Sequence, residues 1–172
     1  MPLVLPRVRL LRVSKSRKEV IDNWAEGVSL HNDLGRTIPE LMRLVSVDRW
    51  YLACEHRRQA NRLRRIPMYR SAVSRYYYAM YHALRACIYI SYGGDDYEKH
   101  LDLPKNIPSD FDPNVNWQNK LKDARELRNG SDYNPYPKSD LAWRTAADNL
   151  KLDTDKLLSL SRTYLISKGC DL

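Results

Sequence analysis

Hydrophobic residues recur along this chain at steps of three and four, not two, over four separate stretches, so the pattern predicts helices and no sheet. The first stretch runs from about Val47 to Ile66, with Trp50, Ala53, Cys54, Ala60 and Leu63 on a broad inward side and Pro67 as its stop. The second, about Tyr69 to Tyr92, is apolar almost all round, as a helix at the centre of a bundle is, and Gly93-Gly94 offers a left-handed cap. A third spans about Asn116 to Asn129, with Gly130 as the expected terminator. The fourth begins after Ser139, a good N-cap, and continues towards Ser167 with Trp143, Ala147, Leu150, Thr154, Leu157, Ser161 and Tyr164 at alternating steps of four and three. That seam either closes an antiparallel bundle or makes a dimer contact. The expected architecture is all-α, a four- to five-helix antiparallel bundle over residues 47–172.

Residues 1–46 read as an irregular basic extension. Positions 1–18 are Pro-containing and carry Arg7, Arg9, Arg12, Lys15, Arg17 and Lys18, as an arm would, or a short edge strand over Val8 to Val13. A short helix is expected near Glu19 to Leu30, then a turn-rich piece from about Pro39. Between the second and third helices, Gly93 to Val115 forms a connection with three prolines and several acids, long enough to be functional in a compact domain.

Charge sharpens this picture. Residues 1–70 hold 15 Lys/Arg against 7 Asp/Glu, and the remaining 102 hold 14 against 14, so the whole net charge of +8 lies in the first two-fifths. Localised basicity favours a polyanionic partner, since Lys and Arg bound to phosphate release condensed counterions. Arg58, Arg62 and Arg65 would form a cationic stripe on the outer face of the first helix. No run reaches the ~18 apolar residues of a membrane span, and the amino terminus has prolines and arginines where a signal peptide needs an apolar stretch, so a cytoplasmic location is expected. Cys54, Cys87 and Cys170 lack metal-ligand spacing, and no Gly-rich phosphate loop or nucleophile elbow is present; neither metal nor cofactor is expected.

Chemistry concentrates in Arg128-Asn129-Gly130-Ser131-Asp132-Tyr133. Steps of four, three and four join Trp117, Leu121, Ala124 and Arg128, so Arg128 continues the apolar stripe and aims inward or into a groove. Two uses are open for it there. Paired with Asp132 across a chain that turns back after Gly130, it fastens the bundle; in a groove, it binds a phosphate and steadies charge developing on it. On the central helix Arg75, Tyr78, His82, Arg85 and Tyr89 form one line of cations, phenols and an imidazole, suited to binding phosphate and stacking bases or to a hydrogen-bonded seam. His100 lies in the acidic connection, and His31 and His56 read as surface residues.

Tyr77-Tyr78-Ala79-Met80-Tyr81-His82-Ala83, read with Glu126-Leu127-Arg128 and Asp132-Tyr133, resembles the HEPN domain family over about Val47 to Lys168. The resemblance implies a helical bundle, frequent homodimerisation, association with RNA, and a place in a prokaryotic toxin-antitoxin or antiviral defence module beside an antitoxin, such as a nucleotidyltransferase, or a defence-complex protein. It maps the motif arginine onto Arg128 and a polar motif position onto Asp132, and it puts Tyr133 where the nuclease pattern takes His. A metal-independent endoribonuclease would then use Arg128 on the phosphate, with His82 or Tyr133 sharing proton transfer to drive attack by the 2′-hydroxyl. The other reading is a non-catalytic subunit that binds a protein partner or a nucleotide through the same groove. A tyrosine of ordinary acidity titrates near ~10 and is a poor base at neutral pH.

Removing residues 1–18 takes away six cations. The logarithm of RNA affinity against the logarithm of salt concentration should then fall less steeply than for the full chain; an unchanged slope in a filter-binding titration rejects a role for the arm in RNA contact.

Overall fold

The computed structural model describes residue 32 and residues 35–172 except 96, 113, 114 and 137; the basic arm, the helix expected near Glu19 to Leu30, and His31 lie outside the described residues. Among the described residues the elements run α1 (Ile38–Arg65), α2 (Tyr69–Tyr92), a 3-10 turn at Leu103–Asn106, α3 (Trp117–Tyr133) and α4 (Asp140–Ser167). Among the described residues there is no strand, and no helix is long and apolar enough to cross a membrane.

α1 begins nine residues earlier than the sequence pattern suggests. The turn-rich piece expected from Pro39 is helix, because Thr37 and Glu40 form a reciprocal capping box and Pro39 sits in the first turn, where its missing N–H costs nothing. Leu41 and Val45 of this added segment are buried against Tyr89. The other ends follow their signals. Ser139 Oγ accepts from the Ala142 N–H, and Gly93 adopts φ 76° while its N–H donates to the Tyr89 carbonyl at 3.0 Å.

α3 runs four residues past its expected end, straight through Gly130. Arg70 explains this: its Nε and Nη2 donate to the Ser131 carbonyl at 3.0 and 2.6 Å, and Nη2 also donates to Asn134 O at 3.2 Å, so a guanidinium from α2 satisfies carbonyls at the helix exit that a glycine cap would otherwise serve. Gly130 is an ordinary helical residue here: a Cβ there would make a normal contact with the Trp143 ring at 3.7 Å.

The helices run up-down-up-down. Arg57 pairs with Asp155 and Arg64 with Asp148, which makes α1 and α4 antiparallel, while Arg70 to Ser131 and Tyr78 to Arg128 make α2 and α3 antiparallel. α2 is the shared partner, packing on α1, α3 and α4, and thirteen of its residues from Ala72 to Tyr89 are buried. Ala53, Ala79 and Ala83 pack with Leu158 where α1, α2 and α4 meet, small enough for close approach of the axes. The seam on α4 is spent on closing this bundle: all seven of its residues, Trp143 to Tyr164, are buried within the chain.

One polar cluster lies inside. Asp95, 3% exposed, accepts from Arg49 Nη2 at 2.6 Å and from Arg85 Nε at 2.8 Å, with a second contact to Arg85 Nη2, and Arg85 Nη2 also donates to Glu98 at 2.8 Å. Burial works to raise the Asp95 carboxyl, but Arg85 and Arg49 outweigh it and hold it below the usual carboxylate range. A folded value below the unfolded one means that the stabilisation is complete above the ordinary range near ~3.9 and is lost as pH falls through the depressed value. Asp95→Ala leaves the buried Arg49 without its carboxylate and Arg85 with Glu98 alone, and should cost about 3–5 kcal/mol at neutral pH. Urea unfolding of both proteins measures this; the difference should shrink as pH falls below ~4, where the unfolded carboxylate takes up a proton that the native one still refuses.

Candidate functional site

Arg128 reaches the surface at the end of the α3 stripe, because Trp117, Leu121 and Ala124 on the same face are buried and the next step meets the α2 tyrosines. Its side chain is 19% exposed. Nη2 donates to the Tyr78 hydroxyl at 2.9 Å, Nη1 to Asn129 Oδ1 at 3.1 Å, and Nε lies 2.8 Å from Asp132 Oδ2. That last contact is an ion pair by distance, although the Nε–H does not aim at the oxygen. The expected Arg128–Asp132 pair exists, formed by one helical turn of a continuous α3 and not by a chain reversal after Gly130. The guanidinium carbon also lies 5.4 Å from the Tyr78 ring centre and 5.1 Å from that of Tyr133. Burial opposes the Arg128 charge, but Tyr78 and Asp132 outweigh it and the pKa is raised, so the cation persists.

Asp132 is held from its other side. Ser74 Oγ donates to Oδ2 at 3.3 Å and Ser131 Oγ to Oδ1 at 3.2 Å. These contacts border a cleft of about 500 Å3 between α1, α2 and α3, lined by His56, Tyr78, His82, Arg75, Arg128 and Asp132 together with two serines. Arg128 also borders a second cleft, of about 330 Å3, with Tyr77, His100, Leu101, Arg125 and Asn129. Among the described residues no group of three or more His, Cys, Asp or Glu is placed to hold a metal ion.

The predicted site residues separate into two sets. Arg75, Tyr78 and His82 from the α2 line and Arg128 and Asp132 from the α3 exit converge on the first cleft. Tyr133 is 70% exposed and stands beside Arg128 outside the cleft lining. Arg85 and Tyr89 leave the line: Arg85 turns to Asp95 and Glu98, and Tyr89 is buried. Arg58, Arg62 and Arg65 line a different groove on the outer face of α1, where Arg58 pairs with Glu55 and Arg57 with Asp155. The α2 line curves off because its steps of three and four drift around the helix, so residues three turns apart face different neighbours.

His56 is the residue that periodicity misplaced. It is half-buried in the first cleft, stacked on His82 with ring centres 5.2 Å apart and planes 1° apart, and 5.6 Å from Tyr78. Its place within α1, opposite Tyr78 and His82, was not legible because helix pairing was not. Burial, then Arg75, pushes its pKa down. His82 is pushed down to about 3 by burial, with His56, Arg85 and Arg49 adding to it. His100 is lowered as well, by burial and then by Arg128 and Arg125. Three imidazoles thus stand around one arginine, each biased towards its neutral form.

In an NMR titration, His82 should show no protonation shift between pH 8 and 5, whereas an unperturbed histidine moves through its midpoint near ~6.5. Because its folded value is depressed, His82 favours the fold above the unfolded value, and that contribution is lost as pH falls from there towards the folded one. His82→Asn should accordingly soften the loss of thermal stability on acidification through that window.

The profile of the HEPN domain family matches residues 47–162, from within α1 to near the end of α4. Comparison with curated proteins and with solved structures returned no match. Two-thirds of the chain, including every residue that lines the Arg128 cleft, answers to one family description, and the protein belongs to the HEPN domain family.

Proposed function

We propose that this HEPN protein is an RNA-binding component of a toxin-antitoxin or antiviral defence module, and that Arg128 is its phosphate anchor. One observation supports this above the others: a charged guanidinium, oriented by Tyr78 and Asn129, stands on the walls of two clefts lined by aromatic rings and further cations. Arginine's planar fork suits phosphate oxygens, and flat uncharged rings suit bases that are not paired in a duplex. Arg75 and Arg125 add positive charge on the two sides.

Binding is better supported than cleavage. Attack by a ribose 2′-hydroxyl needs a group that takes a proton near neutral pH and another that returns one to the leaving oxygen. His82, pushed down to about 3 by burial, is a weak base and is not an imidazolium near neutral pH, and Tyr133 lies at the margin, where water competes for its hydroxyl. A homodimer would bring two Arg128 clefts into one assembly, and a nucleotidyltransferase or other antitoxin remains the proposed partner.

Arg128→Ala should weaken binding of single-stranded RNA by roughly 10- to 100-fold in a mobility-shift assay, the scale of one charge-assisted contact, and lower the salt slope by about one. RNA should stay intact with the wild-type protein, in chelator and in magnesium alike. Fragments that appear in chelator and vanish with Arg128→Ala would replace the binding assignment with an endoribonuclease.

A further inference from the structure

Arg128 does not sit at the bottom of one pocket. It is the ridge between two, and its fork is divided accordingly: Nε faces Asp132 of the first cleft, Nη1 faces Asn129 of the second, and Nη2 holds Tyr78. Tyr78 lines the first cleft, its ring 5.6 Å from that of His56 and 6.1 Å from that of His100, the imidazole of the second. The first cleft holds the stacked His56 and His82 and the second holds His100, and both have volumes in the ~300–1,000 Å3 range of small-ligand pockets.

The two imidazoles are tied in the same way. Arg75 Nη1 lies 3.5 Å from His56 Nδ1, at the long limit of a hydrogen bond, and a guanidinium can only donate, so Nδ1 accepts. The Tyr77 hydroxyl lies 2.5 Å from His100 Nδ1. With this phenol as donor, Nδ1 accepts there too. Both rings then carry their hydrogen on Nε2 and present a donor without a full charge. His100 is further held by Arg125 Nη1, which donates to its backbone carbonyl at 3.1 Å.

Geometry narrows the ligand. Arg128 stands between two clefts, and a phosphodiester has a substituent on each side, which a terminal phosphate lacks. From these contacts we infer that the recognition unit is one internucleotide step of unpaired nucleic acid, its phosphodiester on Arg128 and its two nucleosides in the His56 cleft and the His100 cleft. This rests on the RNA-binding reading and narrows it. The same chemistry could come from an RNA strand or from a free dinucleotide.

Calorimetric titration of the full chain with adenosine 5′-monophosphate, the dinucleotide ApA and an eight-residue oligoadenylate RNA tests it. ApA should bind at least about 10-fold more tightly than the monophosphate despite its smaller charge, the scale of one added base on an aromatic wall. His100→Ala, at an exposed position, should weaken ApA at least threefold at unchanged melting temperature, and His56→Gln should do the same from the other cleft. Monophosphate binding as tight as ApA, or both variants binding ApA like the wild type, overturns the two-sided step. Octamer bound with ApA unbound also overturns it while leaving RNA binding in place. ApA bound with the octamer rejected supports the step and assigns it to a free dinucleotide, which overturns the RNA reading instead; neither ligand bound overturns both.

Discussion

The buried carboxylate of Asp95 is the contact on which the rest of the arrangement depends. It lies just beyond the Gly93-Gly94 turn and is gripped by Arg49 of α1 and Arg85 of α2, so one side chain fastens two helices and the start of the long α2–α3 connection. Glu98 adds a second carboxylate to Arg85, and the Tyr81 hydroxyl donates to the Glu98 backbone carbonyl. With those points fixed, the connection leaves α2 in one direction only and sets His100 against Tyr77 and beneath Arg125. Without the clamp, the second cleft beside Arg128 would have no far wall. In a low-dielectric interior such a cluster is valuable for its directionality more than for its net energy, because desolvation consumes much of the attraction between the charges.

Arg128 illustrates how one side chain can belong to a core and to a site together. The stripe of Trp117, Leu121 and Ala124 delivers its methylenes to the bundle, while the guanidinium emerges where α2 offers Tyr78 in place of an aliphatic neighbour. Asp132 and Tyr133 flank it from the last turn of α3, and that turn exists because Arg70 receives its carbonyls. The fastening pair foreseen for Arg128 and its place on a cleft wall therefore coexist in one geometry. The ion pair with Asp132 orients the fork and leaves it open to the clefts on either side.

Neutrality of the surrounding imidazoles follows from the same crowding. His56 and His82 stack face to face within a partly buried groove bordered by arginines, and each added cation makes a proton on either ring less favourable. The cleft consequently concentrates positive charge on guanidiniums, which cannot transfer protons at neutral pH, and reserves its rings for stacking and hydrogen bonding. In the proposed RNA-binding role, this division of labour would suit holding a phosphodiester.

Local pattern was enough for much of this. The helical period, Pro67, Gly93, the Ser139 cap and the stripe ending at Arg128 all act within a few residues, so the all-α bundle of four to five helices, most helix ends and the inward or groove-facing setting of one arginine could be read from the residues alone. Even the overlooked start of α1 had a local signal, Thr37 and Glu40 around Pro39. Pairing across the bundle was different. Whether Arg85 joined Tyr78 and His82 or turned to Asp95, whether Gly130 ended α3, and whether His56 faced water or His82 depended on which helix lay opposite and at what height. Periodicity specifies which face of a helix is buried but not the partner it meets, and a charged or aromatic side chain takes its role from that partner; only the packing of α1 and α3 on α2 decided those roles.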